Sequence, residues 1–292
     1  MVAIIGRPNV GKSTLLNALV GEAVSITSRK PQTTRNRVLG VLTRGERPAT
    51  TQFIFVDTPG LQRRTRSLLA DRMNQLVRSA LAEVDVVVMV IDARGWTEDD
   101  EIVLEALPAG RPNIILVLNK TDALDRYQDV LPALQDSARR YPFAAFVPVS
   151  AARRSQLDEL LAEIEKLLPE GPPLFDDDQY TDRNVRFLAA ELIREKAFRL
   201  LGDELPYGVA VTVERWDETE SGVEIVAALL VERESHKPIV IGAQGAKLRE
   251  IGRLARADIA ALLGKPVRLD TWVRVRRGWT DDARALRSLG YE

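Results

Sequence analysis

Gly6-Arg7-Pro8-Asn9-Val10-Gly11-Lys12-Ser13 is the stretch that decides the fold. It fits G-x-x-x-x-G-K-[ST], follows the apolar run Val2–Ile5, and opens a Leu- and Ala-rich segment that predicts a helix over 12–20. Glycines permit a tight loop whose backbone N–H groups converge on phosphate oxygens. Lys12 sets a point charge on the β- and γ-phosphates, and the helix amino end adds its partial positive charge. The Ser13 hydroxyl is the expected magnesium ligand, and the cradle runs from Gly6 through Arg7, Pro8, Asn9, Val10, Gly11, Lys12 and Ser13 to Thr14. A plain Gly-rich turn is the bland alternative, and the strand–loop–helix context disfavours it. The loop alone selects neither ATP nor GTP, nor kinase, motor or switch.

Outward from the loop, apolar runs at Val2–Ile5, Val38–Leu42, Phe53–Val56, Val86–Ile91, Ile114–Leu118 and Phe146–Val149 alternate with helical patterns near 12–20, 68–82, 99–106, 127–140 and 155–168. That rhythm predicts an α/β domain with a doubly wound, mainly parallel sheet over 1–168, whose ligands bind beyond the carboxyl ends of the strands. Leu168-Pro169-Glu170-Gly171-Pro172-Pro173 and Asp176-Asp177-Asp178 break both periodicities, so 169–182 reads as a linker. An α+β unit over 183–292 follows: a helix near 183–201, strands near 208–215 and 223–231, a helix near 245–263, a strand near 267–275 and a short helix near 281–289. The length of 292 residues suits two domains. The absence of cysteine excludes a disulfide scaffold, a Cys-ligated zinc site and thiol catalysis, and a single histidine, His236, disfavours a serine–histidine triad. The longest uninterrupted apolar run, Ile225–Val231, is far short of the ~20 residues a bilayer needs, and no charged-then-apolar leader opens the chain, so a cytoplasmic location is expected.

Guanine is selected by Asn119-Lys120-Thr121-Asp122, at the end of the run Ile114–Leu118. An aspartate there accepts from the N1–H and 2-amino groups that adenine lacks. The asparagine can donate to O6 or N7, and the lysine stem can cover the ring. A site built for such groups rejects the wrong base because buried polar atoms would stay unpaired. Ser150 and Ala151, after the next strand, complete the base site. Asp57-Thr58-Pro59-Gly60 follows Phe53–Val56; Asp57 is placed to hold magnesium through water, and the Gly60 N–H to read the γ-phosphate. Thr33 and Thr34, in a polar loop between cradle and Asp57, offer a hydroxyl to the metal, and the sequence does not choose between them. Lys12, Thr33, Thr34, Asp57 and Gly60 are thus the catalytic candidates, and Ser13, Thr33, Thr34 and Asp57 the magnesium candidates.

With these motifs in this order, residues 1–168 resemble the translation-factor-like GTPases. Leu61 stands after Gly60 where a Ras-like enzyme carries its water-orienting glutamine, so this chain is similar to the hydrophobic-substituted GTPases and no catalytic glutamine can be assigned. Asn9 resembles the asparagine that binds potassium in such enzymes, where the ion supplies charge an arginine finger otherwise would. Gln62, Arg63, Arg64 and Arg66 could approach the site in a closed state, although a solvated loop is the simpler reading.

The net charge of −1 hides a stripe: from His236 to Arg277, ten Lys or Arg face three acids. Within it, Gly242-Ala243-Gln244-Gly245 holds a G-x-x-G after the strand-like run Ile239-Val240-Ile241 and before a helix whose basic face carries Arg249, Arg253 and Arg256. Such glycines let a sugar–phosphate strand approach the backbone. Trp272 and Trp279 are candidates for stacking bases, and His236 could contact RNA, each against a plainer core or surface reading. The order helix, strand, strand, G-x-x-G helix, strand resembles a type II KH domain.

The whole chain resembles the Era GTPases, supported also by Ile26-Thr27-Ser28-Arg29-Lys30, Tyr180-Thr181-Asp182-Arg183, Glu204-Leu205-Pro206-Tyr207 and Gly278-Trp279. The resemblance implies a GTP/GDP switch with Mg2+ and K+, slow and potassium-stimulated, that binds the 3′ end of 16S rRNA and promotes maturation of the small (30S) ribosomal subunit. It implies RNA contacts at Gly242, Ala243, Gln244, Gly245, Lys247, Arg249 and Arg253, a monomer, and a cytoplasmic protein that can associate peripherally with the inner membrane. Three competing readings remain: a constitutive KH RNA-binding protein whose nucleotide is structural, a P-loop kinase with a basic surface, and a membrane-surface GTPase.

Overall fold

The computed structural model describes residues 1–28, 30–45, 50–61, 67–108, 110–202 and 205–291. Arg29, Gln62, Arg63, Arg64, Arg66 and Glu204, named above, lie outside the described residues. The chain divides into two compact units: Met1–Ser25, Thr34–Thr65 and Asp71–Asp182 form the first, and Ile26–Thr33, Arg66–Ala70 and Arg183–Glu292 the second. The 169–182 stretch, read from sequence as a linker, belongs to the first unit, and the short segment Ile26–Thr33 belongs to the second.

The first unit holds a six-stranded sheet of β1 (Val2–Ile5), β2 (Val38–Arg44), β3 (Thr51–Asp57), β4 (Val86–Asp92), β5 (Ile114–Asn119) and β6 (Ala145–Pro148), in the order β2-β3-β1-β4-β5-β6. All pairs are parallel except β2 with β3. Its helices are α1 (Lys12–Val20), α2 (Leu68–Glu83), α3 (Glu98–Glu105), α4 (Leu131–Arg140) and α5 (Leu157–Glu165). Both faces of the sheet are covered, which is why β1 and β4 are buried at every position and read as unbroken apolar runs. Val2 and Ile4 of β1 join the core with Leu15, Leu16, Leu160 and Leu161, while Ala3 and Ile5 join the opposite core with Val77, Leu81 and Val103. The β2 edge does not stay open. Val41 N donates to Tyr180 O at 2.9 Å and Thr181 Oγ1 to Leu39 O at 2.7 Å, so the Pro- and Asp-rich stretch is pinned along that edge.

The second unit is built on β7 (Ala210–Thr219), β8 (Gly222–Val231) and β9 (Val267–Val275), with β7 antiparallel and β9 parallel to β8. α6 (Val185–Leu200) and α8 (Ala246–Leu263) cover one face, burying Ala189, Ile193, Ile251, Ala255 and Ile259 against Ile225, Ala227 and Leu229. A parallel pair needs a crossover, and here it consists of α7 (His236–Ile241), the G-x-x-G turn and α8. Ile239-Val240-Ile241 is therefore helical rather than a strand. Three apolar residues are too few to show a period, and Pro238 sits in the first turn of α7, where a missing N–H costs nothing. The short α9 (Ala283–Ser288) closes the chain. Among the described residues, no helix is long and apolar enough to cross a membrane.

Candidate nucleotide site and G-x-x-G turn

The phosphate loop leaves β1 and enters α1 through Gly11, whose φ of 97° is left-handed. A Cβ there would stand 2.4 Å from Asn119 Nδ2, so both conformation and space demand glycine. Lys12 is buried, and its Nζ donates to Gly6 O and Arg7 O, each at 2.9 Å, so it curls back over the loop. Burial lowers its pKa to about 8. Arg7 reaches outward to buried Asp100 (3.1 Å), whose carboxylate also accepts from Thr97 at the start of α3. The Val10 side chain is core, so its contribution to the cradle is backbone.

Asp57 ends β3 fully buried. Its Oδ2 accepts from Ser13 Oγ (2.7 Å), Ser25 Oγ (2.7 Å) and Thr34 Oγ1 (3.3 Å), and Ser13 Oγ lies 2.8 Å from Thr34 Oγ1. Asp57 Oδ1 is buried with no hydrogen-bond partner. Burial pushes the Asp57 carboxyl up, against the hydroxyl donors and Lys12. An orphaned carboxylate oxygen beside three converging hydroxyls fits a hard divalent cation that keeps waters and takes phosphate oxygens. Among the described residues, no cluster of three His, Cys, Asp or Glu offers an all-protein cage instead.

The two threonines now separate. Thr34 faces Ser13 and Asp57, whereas Thr33 Oγ1 lies 2.6 Å from Ser28 Oγ and donates to Lys30 O at 2.7 Å, so Thr33 is not brought to the metal corner. Thr58 is buried and donates to Ile4 O at 2.8 Å, which leaves its hydroxyl anchored in the sheet. Gly60 packs against Pro8, where a Cβ would meet the Pro8 nitrogen at 2.7 Å. Leu61 is buried in the core on one sheet face. An apolar side chain held there cannot orient an attacking water.

Asp122 lies on a short 3-10 turn, Thr121–Ala123, after Lys120 in the left-handed region (φ 71°). The Ser150 hydroxyl donates to Asp122 Oδ1 and accepts from Arg153 N at 3.1 Å. A cavity of about 280 Å³, lined by Asp122, Leu124, Tyr127, Ser150 and Gln156 among others, opens at this carboxylate. Asn119 is already engaged within the protein. Its Nδ2 donates to Val10 O (2.8 Å) and its Oδ1 accepts from Ala151 N (3.0 Å), so it stitches the phosphate loop to the loop after β6 and keeps a second amide N–H. Lys120 Nζ bridges Asn9 O (2.7 Å) and Asp92 Oδ2 (3.1 Å). Asp92 is largely buried, yet Arg94 and Lys120 hold its carboxyl below the usual range. The Asn9 side chain is exposed on a left-handed backbone (φ 66°). Ser25, Asp92 and Asp100 escaped the sequence reading. Asp92 at the carboxyl end of β4 and the Thr97/Asp100 pair had signals, a strand end and a capping box; Ser25 had none.

In the second unit, Gly242 (φ 73°, ψ 174°) ends α7, Gln244 is left-handed (φ 49°), and Gly245 (φ 77°) starts α8. Ala243, Gln244 and Arg249 are exposed and Lys247 half-buried, so the turn presents backbone with basic side chains beside it. Arg253 is held by Glu250 in two bonds of 2.7 and 2.8 Å, which offsets its charge. Trp279 is fully buried, donates to Gly208 O at 3.2 Å and stacks on Tyr291 at 5.9 Å; it is core and unavailable to bases. Trp272 remains exposed, under the Arg274 guanidinium and bonded to Glu214. His236 opens α7 with Nδ1 buried and unpartnered.

A G-x-x-x-x-G-K-S loop, a buried carboxylate ringed by hydroxyls and a cavity at Asp122 on one mainly parallel sheet, followed by a G-x-x-G turn between helices on a three-stranded sheet, have the make-up of a P-loop GTPase joined to a KH fold. The family model described as "50S ribosome-binding GTPase" matches residues 1–120, and that described as "KH domain" matches 204–280. The chain is 54% identical over 291 residues to GTPase Era of Bordetella pertussis, covering 100% of this chain and 97% of the relative. GTPase Era of Nitrosomonas eutropha is 50% identical over the same length, with 100% and 97% covered. Two solved structures superpose with a TM-score of 0.94 at 41% identity: an Aquifex aeolicus Era variant bound to GDP·AlF4−, covering 99% of this chain and 98% of that one, and Era in complex with MgGDPNP and nucleotides 1506–1542 of 16S ribosomal RNA, covering 99% and 97%. This chain belongs to the Era GTPase family.

Proposed function

We propose that this GTPase is a switch that binds the 3′ end of 16S rRNA in its GTP state and promotes maturation of the small ribosomal subunit. The carrying observation is that one chain holds both the Asp57 metal corner and the solvent-facing G-x-x-G turn, with the segment Ile26–Thr33 grouped in the RNA-binding unit and the next residue, Thr34, at the metal corner. Lys12 and the loop from Gly6 to Thr14 take the phosphates, and Asp122 with Ser150 takes guanine. Ser13 and Thr34 hold magnesium, with Asp57 behind them and the Gly60 N–H on the γ-phosphate. Magnesium supplies charge on the β- and γ-phosphates. Asn9 would hold a potassium ion, whose charge would stand in for an arginine finger. Ala243, Gln244, Lys247 and Arg249, around Gly242 and Gly245, take the RNA. The protein works as a cytoplasmic monomer.

The test is GTP turnover with and without an RNA of the 16S 3′ tail. Turnover is expected to rise with that RNA, to ignore a scrambled one, and to keep its basal rate but lose the rise in Gly245→Asp. Identical turnover with all RNAs would contradict the proposal.

A further inference from the structure

Arg194 is the one arginine of α6 whose side chain is fully buried. Its Nε and Nη2 engage Glu191 at 2.7 and 2.5 Å, its guanidinium lies 5.1 Å from the Phe198 ring centre, and Nη1 has no hydrogen-bond partner. A buried guanidinium with a spare donor is a poor way to fill a core, since an apolar residue of similar volume avoids the desolvation. Beyond its own helix it reaches the backbone of Ile26–Thr33: Nη2 donates to Thr33 O at 2.6 Å. Thr27 and Lys30 of that segment are tied to the same helix and its end. Thr27 N donates to Glu195 Oε1 at 2.9 Å, Arg199 donates to Thr27 O at 3.3 Å, and Lys30 Nζ to Gly202 O at 3.2 Å. One peptide bond beyond the clamped carbonyl stands Thr34, whose hydroxyl meets Ser13 and Asp57.

We infer that Arg194 is a positioning residue for the GTP state: by clamping the Thr33 carbonyl it sets the register that delivers the Thr34 hydroxyl to the metal corner, and so ties γ-phosphate and magnesium occupancy to α6. The inference rests on the assignment of Thr34 to magnesium. A ligand shifts such an element only through contacts it makes in one state and not the other. GDP meets Lys12 and Asp122, which Arg194 does not touch, so the clamp acts on GTP against GDP and leaves GDP affinity alone.

The experiment uses the full-length chain. Arg194→Met removes the clamp and keeps the volume. Arg194→Met with Glu191→Gln also removes the carboxylate that would otherwise lose its partner, which guards against unfolding. Arg194→Lys keeps a charged donor group without the planar fork. Titrations with a non-hydrolysable GTP analogue and with GDP at varied Mg2+, melting temperature, and hydrogen exchange across Ile26–Thr33 are the readouts. Expected in both Met variants is at least a tenfold loss of analogue affinity, a higher Mg2+ midpoint for the analogue, unchanged GDP affinity and faster exchange over Ile26–Thr33, with partial rescue by lysine. Equal effects on GDP and analogue, or none on either, in a folded Met variant would overturn the inference and leave Arg194 as packing. Failure of the RNA reading shows separately: wild-type protein would then bind RNA equally with both nucleotides while the analogue-to-GDP ratio still moved in the Arg194 variants.

Discussion

Replacing Asp122 by asparagine should exchange one purine for another. The Ser150 hydroxyl holds Asp122 Oδ1, and Asp122 borders the cavity of about 280 Å³, so the carboxylate is fixed before a base arrives. Guanine offers N1–H and the 2-amino group to it. Hydrogen bonds to a charged group contribute about 1.5–3 kcal/mol each, so two contribute about 3–6 kcal/mol. At 1.4 kcal/mol per decade, Asp122→Asn should weaken GDP binding by roughly 10²–10⁴-fold, because the new amide N–H faces the guanine donors. Xanthine carries a carbonyl at C2 in place of the amino group, and that carbonyl accepts from the asparagine. Xanthosine diphosphate should therefore bind the variant more tightly than GDP, reversing the wild-type order. Isothermal titration with both nucleotides, with the melting temperature checked, reads this directly. GDP affinity within threefold of wild type in a folded variant would refute the assignment of the base site.

Because burial lowers Lys12 to about 8 and bound phosphate restores its charge, GDP affinity should be flat below pH 7.5 and fall about tenfold per pH unit above 8. The control is GMP, whose affinity stays flat to pH 9 for want of a β-phosphate; parallel curves would contradict the lysine's role. The same linkage has the opposite sign for folding: the unfolded lysine, at 10.5, holds its proton longer, so the nucleotide-free protein should gain stability as pH rises from about 8 toward 10.5. The two glycines of the turn should differ. A Cβ at Gly245 meets only the Arg249 tip at 3.2 Å, so Gly245→Asp should cost roughly 1–2 kcal/mol of fold stability yet lower RNA affinity at least tenfold. Gly242→Ala, with Cβ 2.7 Å from Lys247 Cβ in backbone space that is nearly glycine's alone, should lower the melting temperature more. Intact RNA affinity in Gly245→Asp would remove the turn from the interface. Turnover should be faster in potassium than in sodium at equal ionic strength, and Asn9→Ala should erase the difference; indifference of the wild type to the cation would count against the Asn9 site.

Much of this was legible in the sequence because the motifs are local. Gly6 to Ser13 encodes its own loop, and β1, β4 and β5, buried on both faces, announce themselves as apolar runs. What escaped depends on long-range placement. The residue types at 33 and 34 do not say which hydroxyl turns to Asp57, and the bond that holds the Thr33 carbonyl comes from Arg194, 161 residues away. Asn119 carries two N–H donors and a carbonyl, and only the positions of Val10 O and Ala151 N reveal that one donor and the carbonyl are used within the protein. From sequence Trp279 is a candidate for stacking bases as well as for the core, and only Gly208 O and Tyr291, which enclose it, decide for the core. The run at Ile239–Ile241 was too short to declare its period, and the parallel pairing of β8 and β9 made it part of a helical crossover.

The central claim is that GTP controls RNA binding, and the direct measurement is fluorescence anisotropy of a labelled RNA carrying the 16S 3′ tail. It would be run with a GTP analogue, with GDP and without nucleotide, against a scrambled RNA at two salt concentrations, since phosphate contacts make affinity salt-dependent. Tighter, sequence-selective binding with the GTP analogue is the predicted result. Equal affinity in all nucleotide states would contradict it and leave a constitutive RNA-binding protein with a GTPase attached.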